Sequence, residues 1–129
     1  MLIPIEVIYV FAFLFYIASA SIHILVLKKK ISYKSVNGGR SKNYTEQQKQ
    51  SQISIVILMI LLLYVVSSLI FPQTRTTVIY LVITSITVLF WFLGTILQLL
   101  GTKFEKRIVF WINLVGLLSH LGLVLVYFE

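Results

Sequence analysis

Apolar residues fall in four runs, Leu2 to Leu27, Ile53 to Phe71, Thr77 to Leu100 and Ile108 to Phe128, with nearly all the charge in the stretches between them. Each run is close to the roughly 20 residues a helix needs to cross a hydrocarbon core of about 30 Å. The pattern predicts an all-α integral membrane four-helix bundle, antiparallel, with helices over about 3–27, 46–71, 77–100 and 103–128 of a single transmembrane domain, 1–129.

Local signals place the helix ends. In the connector 28–51, Asn37-Gly38-Gly39 marks a turn. Thr45 and Gln48 fit a capping box, which satisfies free backbone donors at a helix start, so the second helix is expected near Glu46. It should stop at Phe71, because Pro72 has no amide proton and restricts the residue before it. The short loop 72–76 makes the second and third helices antiparallel neighbours. Gly101 suits a left-handed residue after the third helix, and Thr102 with Glu105 forms a second capping box opening the fourth. Ala18-Ser19-Ala20 looks like a signal-peptidase site. A signal peptide carries basic residues before its apolar core, however, whereas here Glu6 precedes it and Lys28-Lys29-Lys30 follow, so a retained helix is expected.

Charge sets the orientation. Seven of the 11 basic residues lie in the connector, and Lys103, Lys106 and Arg107 share its side of the bundle. Only Arg75 falls opposite. Positive loops stay cytoplasmic, so both termini are expected on the non-cytoplasmic side of a multi-pass protein of the plasma membrane. The formal charge of +7 points to membrane lipids, with anionic headgroups meeting Lys28, Lys29, Lys30, Lys103, Lys106 and Arg107, and not to nucleic acid. The composition, 59% hydrophobic with no cysteine, removes disulfides and thiolate chemistry.

Polar side chains inside the runs recur at helical spacing and define one weakly polar stripe per helix, the face expected to pack inward. At about 1.5 Å per residue, His23, Gln98 and Asn113 lie about 8 Å inside the basic face, with Ser54 close to the same level. This is an interior polar layer. Nearer mid-membrane stand Tyr16, Tyr64, Trp91 and His120. Leu25, Leu99 and Val115 are expected to face lipid. His23 and His120 are at different depths and cannot share a haem iron. The carboxylates Glu6, Glu46, Glu105 and Glu129 fall near the faces, so no metal site, cofactor or catalytic constellation is expected. A weak repeat lays Leu14-Phe15-Tyr16 through Lys28 over Leu89-Phe90-Trp91 through Lys103 at constant offset, as a two-plus-two duplication would.

The functional expectation is a non-catalytic accessory or scaffold subunit of a larger membrane complex, with other membrane subunits as partners. The alternative is a homo-oligomeric channel or transporter for an anion or neutral solute, its path lined by Tyr16, Thr87, Gln98, Asn113 and His120.

Overall fold

A computed structural model describes residues 2–129. The described residues are all-helical, and four helices among them are long and apolar enough to cross a membrane, as in a multi-pass integral membrane protein. These are α1 (Ile5–Leu27), α2 (Tyr44–Ile70), α3 (Val78–Leu99) and a fourth span, Glu105–Tyr127. The fourth opens with a π-helical turn, Glu105–Val109, and continues as α4 (Phe110–Tyr127). In that turn the Phe110 N–H reaches back five residues to the Glu105 carbonyl. Such a turn re-phases the helix face, and here Glu105, Val109 and Asn113 all look into the bundle.

Successive helices run antiparallel. Tyr9, early in α1, bonds Ser68, late in α2, and His23 bonds Ser51 at the opposite, basic end. Close backbone packing runs α2–α1–α4–α3, an arc that leaves α2 and α3 as its two lips. Sequence proximity made α2 and α3 neighbours, and they do meet near their shared turn, where the Tyr64 hydroxyl reaches the Tyr80 carbonyl and Thr84 Oγ1, each at 3.2 Å. Toward the basic end they diverge. The core sits where α1, α3 and α4 meet, around Ala12, Phe15, Tyr16, Trp91, Leu117 and Leu123. Val115, expected toward lipid, packs against this core, whereas Leu25 and Leu99 are exposed.

The helix ends differ from the expected ones in instructive ways. α2 starts two residues early, because Asn43 and not Thr45 caps it. Asn43 Oδ1 accepts from the Glu46 N–H at 2.9 Å, and Glu46 Oε2 reaches back to the Lys42 N–H at 2.8 Å. Both sites match the capping pattern, and the earlier one sits directly after the irregular connector. The Thr102–Glu105 box forms as expected, with bonds of 3.1 and 3.2 Å. Gly101 is not left-handed; a Cβ there would lie 2.7 Å from Glu105 Oε1, so the glycine makes room for a carboxylate. The left-handed helix end belongs to α1. Lys29 has φ 58°, while Lys30 N–H bonds the Leu25 carbonyl and Lys29 N–H that of Val26. This is a Schellman end with lysine where glycine is preferred. Lys29→Gly should therefore raise stability by about 1 kcal/mol, read as a higher melting temperature in detergent. An unchanged or lower melting temperature would count against this helix end.

Candidate functional site

Away from the basic end the polar groups are consumed inside the bundle. His120, 1% exposed, has both ring nitrogens engaged, Nδ1 with the Gly116 carbonyl at 2.6 Å and Nε2 with the Tyr16 hydroxyl at 2.8 Å. A carbonyl only accepts, so Nδ1 carries the proton and Nε2 accepts from Tyr16 O–H. The rings of Phe15 and Trp91 meet edge-on at 4.7 Å beside this pair, and Phe15 lies at 5.9 Å from the imidazole. Above it, Tyr9 bonds Ser68 and the Tyr80 hydroxyl donates to the Leu123 carbonyl at 2.7 Å. These bonds tie helices together and close this half of the bundle.

Toward the basic end a cavity of about 710 Å³ opens between the four spans and is floored by the connector. His23, Ser54, Gln98 and Asn113, the polar layer read from the sequence, all stand on its wall, and Trp91 forms part of its inner end. They do not bond to one another. His23 Nδ1 instead pairs with Ser51 Oγ at 3.2 Å. That bond ends a chain with one direction: Asn37 Nδ2 donates to Ser41 Oγ, Ser41 to Gln47 Oε1 at 2.6 Å, and Gln47 Nε2 to Ser51 Oγ at 3.1 Å. The Ser51 hydroxyl proton is then free to donate to His23 Nδ1, which leaves His23 Nε2–H as an available donor. The Trp91 indole N–H is turned toward the Tyr16 hydroxyl in the core. Two groups beside the cavity remain unsatisfied: Gln98 Oε1 is buried without a partner, and the 7%-exposed Asn113 makes no hydrogen bond among the described residues. Buried polar groups are ordinarily paired, and these converge on one space.

The floor is held by a residue that the sequence reading treated only as a helix cap. Glu105 is 4% exposed, and its Oε1 accepts from Gly38 N–H at 2.9 Å as well as from Thr102 N–H. Thr102 Oγ1 in turn donates to the Ser35 carbonyl. Asn37, Gly38 and Gly39 are all left-handed, with φ of 53°, 64° and 71°, and this reversal presents the Gly38 N–H to the carboxylate. The capping box in the sequence signalled that Glu105 folds back; nothing local signalled that it reaches a residue 67 positions away. Arg40, an exposed residue, also lines the cavity, donating from Nε to the Asn37 carbonyl at 3.1 Å and from Nη2 to Asn37 Oδ1 at 3.4 Å.

Between the lips, a smaller cavity of about 190 Å³ is lined by Ile57, Leu61, Ile86, Thr87 and Phe90. It shares Ile57 and Phe90 with the larger one, so a groove runs from the connector up the α2–α3 seam. Lys28, Lys29, Lys30, Lys103, Lys106 and Arg107 are exposed around the basic end. Among the described residues no three of His, Cys, Asp or Glu come together. Comparison with protein-family models, curated proteins and solved structures finds no match.

Proposed function

We propose that the chain is a non-catalytic accessory or scaffold subunit of a larger membrane complex, lying with both termini outside and with the connector and Lys103–Arg107 in the cytoplasm. The observation that carries this reading is where the polar groups go. Those of the Arg75 half are spent on interhelical bonds, and the basic-end cavity, with the unbonded Asn113 on its wall, opens between α2 and α3. A chain built this way offers a surface to something in the plane of the membrane rather than a path across it. Purification from native membranes in gentle detergent, followed by mass analysis, tests the role. Stoichiometric unrelated subunits are expected; a pure homo-oligomer that makes liposomes leak would overturn it.

One observation favours the alternative of a channel or transporter for an anion or neutral solute: Gln98 and Asn113 of its supposed path line a sizeable cavity at the basic end. Tyr16 and His120 of the same path are bonded to each other in the core. His120→Leu separates the readings, since it should weaken assembly or stability in the first and abolish flux in the second.

The orientation rests on the charge bias alone. With no native cysteine, single cysteines at positions 75 and 40 report it directly. An impermeant thiol reagent on intact cells should label 75 and spare 40, and the reverse pattern would invert every helix.

A further inference from the structure

The polarity of the cleft changes in a definite order along its length. At the connector stand the cation Arg40 and the amides Asn37 and Gln47; about a turn and a half inward come the imidazole and amides of His23, Gln98 and Asn113; beyond them the seam is Ile57, Leu61, Ile86 and Phe90. Phosphate, then glycerol esters, then acyl chain is the order a phospholipid presents at the same depths. The cleft also penetrates the protein, where an ordinary lipid-facing groove does not. It reaches Asn113, whose amide makes no bond, and Gln98, whose Oε1 lacks a donor.

We infer that the α2–α3 cleft binds one anionic phospholipid, drawn from the leaflet at the basic end. The phosphate sits by Arg40, an exposed cation on the cavity wall, in a molecule of formal charge +7. Ester oxygens accept from Asn113 Nδ2 and His23 Nε2–H. One chain lies along Ile57 and Phe90. This holds whether the chain works alone or in an assembly.

The test is native mass spectrometry of the purified, delipidated full chain, titrated in mild detergent with dioleoylphosphatidylglycerol or dioleoylphosphatidylcholine. One phosphatidylglycerol per chain should be retained about tenfold more tightly than phosphatidylcholine, whose head has no net charge. Gly94 lines the cavity, and the nearest atom to a Cβ there is Asn113 Nδ2 at 3.6 Å. Gly94→Leu should therefore fill the space and weaken phosphatidylglycerol binding at least about tenfold, while Leu118→Ala, on an exposed face of α4, should leave it unchanged. Arg40→Gln, on an exposed side chain, should weaken it about fivefold and decides the matter alone if Gly94→Leu does not fold. Equal retention of both lipids, or undiminished binding by folded Gly94→Leu and by Arg40→Gln, would overturn the assignment. So would a photo-crosslinking residue at position 93 that captures a polypeptide instead of a phospholipid in native membranes.

Discussion

Gly116→Ala should destabilise the bundle by about 3 kcal/mol, a large effect for one methyl group. A Cβ on Gly116 would stand 2.6 Å from two carbons of the Phe15 ring. That ring cannot swing aside. It is 1% exposed and meets Trp91 and His120 edge-on, and the Gly116 carbonyl itself holds His120 Nδ1. Moving either backbone would therefore disturb the Tyr16–His120 bond as well. Phe15→Leu alone should cost about 1–2 kcal/mol through the space it leaves. The two changes together should cost less than Gly116→Ala by itself, because the smaller side chain admits the methyl. Thermal melts of the four proteins in detergent give the coupling directly. Gly94→Ala is the contrast, since its Cβ meets only ordinary van der Waals distances and should leave the melting temperature nearly unchanged. A Gly116→Ala protein that melts with wild type would mean that α1 and α4 do not approach as closely as this packing requires.

The contrast between these two glycines marks the limit of what the sequence carries. Four apolar runs of spanning length are visible without any structure, because the bilayer sets one length for all of them, and the four spans appear within two residues of the expected ends. The polar stripe is legible for the same reason: lipid cannot satisfy His23, Gln98 or Asn113, so they share an inward face, and all three reach one cavity. Which residue each one bonds is set by rotation and splay of whole helices, which no local pattern encodes. His23 thus finds Ser51 rather than Gln98. The opening between α2 and α3 is invisible for a related reason. A five-residue turn brings two helices together at one end and leaves their angle free. Val115 turned inward although its neighbours in sequence gave it no polar partner, because the stripe of α4 that faces α1 is wide. The offset repeat is likewise only partly carried through: Tyr16 and Trp91 are both core residues, but Phe15 is buried where Phe90 is exposed.

Glu105 carries the second large effect. Its replacement by alanine removes the acceptor for two backbone amides, Gly38 N–H and Thr102 N–H, in a site where the carboxylate is 4% exposed. Hydrogen bonds to a charged acceptor are each worth about 1.5–3 kcal/mol, so the connector should lose about 3–6 kcal/mol of local stability. The first three spans lose nothing, the fourth loses only one bond of its capping box, and all four should keep their helicity. The expected result is a floor that opens while the bundle stands. Trypsin cleavage after Lys34 and Arg40 should accelerate at least about 100-fold, since each 1.4 kcal/mol of opening is about tenfold in population. Amide exchange should quicken at Gly38 and Thr102 and stay slow in α3. Glu105→Gln retains an acceptor oxygen of the same reach and should show a smaller change in both readouts. Gly101→Ala tests the same latch with the carboxylate present. Its Cβ would lie 2.7 Å from Glu105 Oε1 and must push that oxygen off the two amides, so it should reproduce most of the Glu105→Ala cleavage rate. If Glu105→Ala is cut no faster than wild type, the connector is held by the Asn37–Ser41–Gln47–Ser51–His23 chain alone, and Gly101→Ala should then be silent as well.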